Sequence, residues 1–261
     1  MKYLLSLPAI FLLLFSQNST ANTFNLNDQN SKQFVMVIAE DEDDNFGQLY
    51  AFEKINNMWQ KQDLQTKVML GKNGIAWGLG LHDKQNAVYK KEGDGRAPAG
   101  IFKLGSAFGY LDSVNTQLDY SPMTANDYCI DVNDSPFYNQ LVNRAVVGDE
   151  AIKGSTEPMR RDINKNNDPV YRKGIWVHHN DANISASGSC IFVHIWRKDG
   201  APTAGCTAMP EETLDKLLAW LDKRKEPLMA TLSKTQYQAV HRRSDPLPAR
   251  PSGPMNIPRR P

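Results

Sequence analysis

Between Phe34 and Leu232 the chain runs in short apolar segments, with little helical striping, and this pattern restricts it to a β-rich fold. Phe34-Val35-Met36-Val37-Ile38-Ala39 is continuous and rich in β-branched residues, the mark of a strand buried on both faces. Leu49-Tyr50-Ala51-Phe52 and Met58-Trp59-Gln60-Lys61 flank Asn56-Asn57, a pair suited to a hairpin turn. Val68-Met69-Leu70, Ile101-Phe102-Lys103-Leu104, Gly174 to His178 and Cys190 to Trp196 read as further strands. Two helices are predicted. Ser135-Pro136 forms a cap followed by proline at the first helical position, with Phe137 and Leu141 on one face. The second starts at Pro210, where Leu214, Leu217, Leu218 and Leu221 share a helical face before Pro227 stops the chain.

The ends differ from this body. Met1-Lys2, the apolar run Leu4 to Phe15 and the small residues Ser19-Thr20-Ala21 predict a secretory signal peptide over residues 1–21. The apolar run is about half the ~20 residues a spanning helix needs, so no stable membrane span is expected in the mature chain. The mature protein is therefore expected outside the cytoplasm, in the periplasm or cell envelope of a bacterium, where thiols oxidise. Residues 22–33 form a polar leader, 34–232 one domain, and 233–261 a Pro- and Arg-rich tail predicted to be disordered. From Arg242 onward the chain holds five Arg against one Asp, while residues 22–241 hold 24 basic against 28 acidic residues. The overall charge of +1 thus combines a mildly acidic body with a basic tail, and it excludes a polybasic nucleic-acid binder. The tail either attaches to an anionic wall or membrane surface or is an inert solvated extension.

Two stretches carry chemistry. Gly93-Asp94-Gly95-Arg96-Ala97-Pro98-Ala99-Gly100-Ile101-Phe102 is a glycine- and proline-fixed turn that feeds a strand. In the second, the strand Cys190 to Trp196 presents His194, and the loop Ala201 to Ala204 leads to Gly205-Cys206-Thr207 just ahead of the Pro210 helix. A free thiol titrates near 8.5, so a nucleophilic Cys206 needs a neighbouring base such as His194. The nearby helix N-terminus adds up to about 1 kcal/mol in favour of the thiolate. Gly205 lets a carbonyl approach the sulfur and leaves backbone N–H groups free for an oxyanion, with Thr203 and Thr207 positioned on either side.

Together the two stretches resemble the L,D-transpeptidase (YkuD-type) catalytic domain of cell-wall enzymes. Gly95, Pro98, Gly100 and Phe102 match its Gly-x-x-Pro-x-Gly-x-Phe turn, and Thr203-Ala204-Gly205-Cys206 matches three positions of its Ser/Thr-His-Gly-Cys nucleophile motif. The chain departs at Ala204, where the family has His, at Ala208, where Arg is common, and in its shorter His-to-Cys interval. The resemblance implies a mainly β domain with a few helices, a β-sandwich. It also implies cleavage by Cys206, with His194 as base and then acid, of the bond before the terminal D-Ala of a tetrapeptide stem of peptidoglycan. The thioester would pass to a second stem's amine, giving a 3→3 cross-link, with no metal or other cofactor. Two alternatives stand beside this: an L,D-carboxypeptidase or amide hydrolase that trims stems or detaches wall-bound protein, and a non-catalytic peptidoglycan-binding relative.

The remaining candidates stay open on sequence alone. His179 and Asn180 either line the same cleft or are structural. Arg197, beside Trp196, either binds a substrate carboxylate or is solvated. Cys129 and Cys190 are either a disulfide or two buried thiols. Zinc bound by the histidines and Cys206 is disfavoured because their separations lack compact ligand spacing.

Overall fold

The computed structural model describes Leu26 and residues 29–243 and 247–251. The predicted signal peptide, most of the polar leader and the last ten residues lie outside the described residues. The described residues form thirteen strands: β1 (Gln33–Ala39), β2 (Phe46–Ile55), β3 (Met58–Met69), β4 (Ile75–Trp77), β5 (Ala97–Gly109), β6 (Tyr120–Pro122), β7 (Asp127–Cys129), β8 (Leu141–Asn143), β9 (Glu157–Pro158), β10 (Lys173–Val177), β11 (Phe192–Ile195), β12 (Thr207–Met209) and β13 (Leu228–Ser233). The helices are α1 (Arg144–Val147), α2 (Asp149–Ile152), α3 (Arg161–Asn164), α4 (Glu211–Trp220) and α5 (Lys234–Arg243).

The sheet runs β10-β11-β12-β3-β2-β1-β13-β5, and β5 also pairs with β10. That last pairing closes eight strands into a mixed barrel, in place of the expected two-sheet sandwich. Closure is achieved by β5, whose length lets successive parts of it pair with β13 and with β10. Phe34 through Ala39 are fully buried because one face of β1 points into the barrel and α5 packs outside β1 and β13. Each large apolar side chain so buried stabilises the fold by roughly 1.5–3 kcal/mol.

The Asn56-Asn57 hairpin forms between β2 and β3, with both asparagines at positive φ (49° and 65°). The Pro210 helix forms as α4 and buries Leu214, Leu217 and Leu218. The helix expected after Ser135 does not form. Ser135 Oγ does accept from Phe137 N–H, but Asn139 adopts a left-handed conformation (φ 59°), and the chain leaves through turns into β8. Part of the predicted disordered tail is ordered as α5, whose buried Tyr237 donates through its hydroxyl to Pro248 O. Among the described residues no helix is long and apolar enough to cross a membrane.

The chain between β5 and β10 leaves the barrel and builds a small sheet in the order β8-β7-β9. A disulfide between Cys129, at the end of β7, and Cys190, just before β11, ties this cap to the barrel wall.

Candidate active site

Cys206 and His194 meet through sheet register. Strands β11 and β12 are parallel, pairing Val193 with Thr207 and His194 with Ala208. One residue earlier, Cys206 therefore stands beside Phe192, whose N–H donates to Sγ at 3.4 Å. Side chains alternate along a strand, so Cys206 and His194 project from the same face. The ring of Tyr171 packs edge-on against His194 and against Phe192, the neighbour of Cys206, at 5.4 and 5.3 Å between centroids.

The imidazole is fixed by its neighbour's backbone. His194 Nδ1 lies 2.7 Å from the carbonyl of Ile195, which can only accept, so Nδ1 carries the proton and Nε2 the lone pair. Burial pushes His194 down to about 4, against the favourable Ile195 bond. The thiol donates to Cys190 O at 3.5 Å, and it is not hydrogen-bonded to His194. Burial, and then the Glu157 carboxylate, push the Cys206 thiol up to about 12; Phe192 N–H, Lys90 and Arg161 oppose this. Both groups are therefore neutral at pH 7 in this arrangement.

The cap causes that burial. Met123 and Met159 from the cap, with Phe108, Tyr171 and Phe192, form an apolar cluster around Cys206 and the disulfide. A charged network lies over the same cluster. Glu157 accepts from Tyr171 Oη at 2.7 Å and from Arg161 at 3.0 Å, and Arg161 also binds Asp168 at 3.0 Å. Burial pushes Glu157 upward in spite of the Arg161 charge. Asp168 receives Arg197 as well, so Arg197 is held by a carboxylate of the barrel-cap junction. Trp196 is half-buried, and its backbone N–H donates to Met209 O.

The loop that leads into Cys206 is pinned locally. Thr203 Oγ1 donates to Cys206 O at 2.6 Å and accepts Gly205 N–H at 3.1 Å. The expectation that the Gly205 N–H stands free for an oxyanion is thus not met. The need for glycine there is steric: a Cβ would come to 3.0 Å from Arg96 O and 3.4 Å from Lys90 Nζ. Thr207 is buried in β12. The helix dipole expected at the thiol is not there, because the three residues of β12 separate Cys206 from α4, about 10 Å of strand. A helix dipole fades within a turn of its end.

The glycine-rich turn reaches this loop. Asp94 accepts from Lys90 Nζ at 2.9 Å and from the N–H groups of Lys91 and Arg96. Further along, Gly100 (φ 137°) is required because a Cβ would overlap the His82 ring, whose Nδ1 accepts Ile101 N–H at 3.0 Å.

His179 and Asn180 hold loops and do not face the thiol. Leu79 N–H donates to His179 Nδ1 at 3.1 Å, so Nε2 is protonated and donates to Ser187 O at 3.0 Å. Burial pushes His179 down to about 4. Asn180 bonds the backbone of Ile184 and Gly188. Among the described residues no three His, Cys, Asp or Glu side chains converge as a cation site.

Three cavities, of about 560, 260 and 500 Å³, lie along the loops near His178 and Tyr89, and neither Cys206 nor His194 lines them. The 560 Å³ cavity is lined in part by Lys103, Asp119, His178 and Lys223.

No protein-family profile matches the chain, and no curated protein sequence matches it. Solved structures of the helical cell shape determining protein Pgp2 from Campylobacter jejuni, and of a single-residue mutant of it, align with 16% identity and a TM-score of 0.38. The alignment covers 78% of this chain and 48% of that one, so the chain spans about half the length of Pgp2.

Sequence reasoning missed Lys90, Asn139, Glu157, Arg161, Asp168 and Tyr171. Only Lys90 left a trace, in the alternation Lys90, Glu92, Asp94 ahead of Gly95. The others reach the site through the cap.

Proposed function

We propose that this protein is an exported peptidoglycan L,D-transpeptidase with Cys206 as nucleophile and His194 as general base. The observation that carries the reading is the single sheet face shared by Cys206 and an imidazole whose Nδ1–H is committed to Ile195 O. A base needs a lone pair aimed at the reacting centre and a fixed tautomer, and the Ile195 bond supplies the tautomer. Export is supported by the Cys129–Cys190 disulfide, which persists in oxidising compartments.

As the sulfur attacks the carbonyl carbon before the terminal D-Ala, its proton passes to His194 Nε2 and the carbonyl π pair moves onto oxygen. Collapse breaks the C–N bond, and His194 returns the proton to the departing amine, leaving a thioester on Cys206. A stem-peptide amine then attacks the thioester, forming the cross-link and restoring the thiol. A neutral thiol and a neutral imidazole suit this concerted transfer, which needs no preformed ion pair. The covered thiol bonded to Cys190 O is the resting form, and a stem peptide reaches Sγ when the cap residues around Met123 and Met159 move aside.

Incubating the full chain with disaccharide-tetrapeptide and reading masses tests the assignment. A dimer lacking one D-Ala is expected. Loss of D-Ala without dimer would move the assignment to a hydrolase, and no covalent change would leave a binding protein. Full turnover by Cys206→Ala would refute the nucleophile.

A further inference from the structure

Lys90 is a buried cation with no role in the chemistry above. Its side chain is 4% exposed, and its Nζ binds Asp94 at 2.9 Å and Lys91 O at 3.4 Å. Its Nζ lies 3.4 Å from where a Cβ on Gly205, the residue before the nucleophile, would stand. Asp94 and Lys91 O offset the cost of burying this ammonium, and in a poorly polarisable interior its field still reaches adjoining residues.

We propose that Lys90 is a positioning residue for the nucleophile: its ammonium, beside Gly205 and tethered by Asp94, stabilises the negative charge that gathers on the Cys206 sulfur as its proton leaves for His194. This rests on the reading of Cys206 as nucleophile. The other charged or titratable groups around the thiol are Glu157 of β9, Arg161 of α3, Tyr171 ahead of β10, and His194 of β11. Among these Glu157 opposes ionisation, and Arg161 favours it while being held by Glu157 and Asp168. His194 is uncharged at neutral pH and adds no cationic field. Lys90 therefore opposes the cap carboxylate from the turn that carries Asp94. The inference also explains why the glycine-rich turn and the nucleophile loop, far apart in sequence, are built against each other: the turn's Asp94 sets where the ammonium sits.

The test needs no substrate. Methyl methanethiosulfonate, a small thiolate-selective reagent, is reacted with the full chain between pH 6 and 9, and modification of Cys206 is followed by intact mass. Lys90→Met keeps the length and removes the charge, and is expected to slow modification about tenfold at each pH, equivalent to an upward shift of about one pH unit. Lys90→Arg is expected to retain the wild-type rate within about threefold. Asp94→Asn removes the counter-charge and is expected to accelerate the reaction. A lysine with only a structural role would lower the melting temperature of Lys90→Met and leave its rate unchanged. Equal rates for wild type and Lys90→Met, including equal failure to react, would overturn the proposal. Where Lys90→Met does not fold, Asp94→Asn decides: a rate no faster than wild type overturns it. Failure here leaves the Cys206→Ala turnover result standing, so the two readings fall separately.

Discussion

Opening the Cys129–Cys190 bond should lower stability by about 4 kcal/mol. The two cysteines are 61 residues apart in sequence, and the loop they close contains β8, α1, α2, β9 and α3 of the cap together with β10. Closing a loop of that length removes about 14 cal/mol/K of entropy from the unfolded chain, which at 298 K is about 4 kcal/mol in favour of the folded state. For a domain near 200 residues each kcal/mol moves the melting temperature by roughly 2–4 °C, so the expected drop is roughly 8–16 °C. Local contacts at Cys190 add to the loss. This residue sits in the left-handed region (φ 55°), receives support at its N–H from Asn139 Oδ1 at 2.9 Å, and offers its carbonyl to the Cys206 thiol. Calorimetry of the wild-type chain, oxidised and fully reduced, measures the effect without truncating a side chain. Alkylation and peptide mass before each scan should show Cys129 linked to Cys190 and Cys206 free in the oxidised sample. Melting temperatures within 2 °C of each other in verified oxidised and reduced samples would refute the reasoning, because they would mean that the unfolded cap gains no freedom from reduction.

Two further outcomes follow from the buried polar groups. His179 and His194 both have folded-state values of about 4 against an ordinary 6.5, so the unfolded chain binds protons that the folded chain refuses. Stability is then complete above pH 6.5 and falls as the pH drops toward 4, by up to about 1.4 kcal/mol per pH unit for each histidine. Melting curves from pH 7 to 5, above the main carboxylate range, should show this slope, and His194→Gln should reduce it by about half; a flat profile in wild type would contradict both burial assignments. Asn139→Ala should cost more than about 3 kcal/mol in urea unfolding, since it strips partners from His179 O, Asn180 O and Cys190 N–H and places alanine at positive φ. A loss under 1 kcal/mol would show that water replaces all three bonds.

Patterns local in the chain were legible in the sequence. Phe34 to Ala39 predicted a doubly covered strand because six consecutive apolar residues leave no polar face, and the asparagine pair at 56 and 57 predicted its turn because asparagine tolerates positive φ. The leucine spacing after Pro210 predicted α4 for the same reason of period. His194, Cys206 and their spacing across a short loop were visible because the parallel pair β11–β12 joins neighbours in sequence. Tertiary structure decided what distant segments do to one another. The barrel depends on the pairing of β5 with β10, two strands separated by the entire cap, and nothing in either strand names its partner. The strand expected from Cys190 begins only at Phe192, because the disulfide and Asn139 hold Cys190 left-handed, a constraint from elsewhere in the chain. The cap also sets the protonation of Cys206: burial among its apolar residues and the Glu157 charge keep the thiol neutral, against the Lys90 and Arg161 charges. Burial and Coulomb fields depend on distance in space, so the sequence alone singled out Cys206 and His194 as candidates, and folding decided the charge state that they hold.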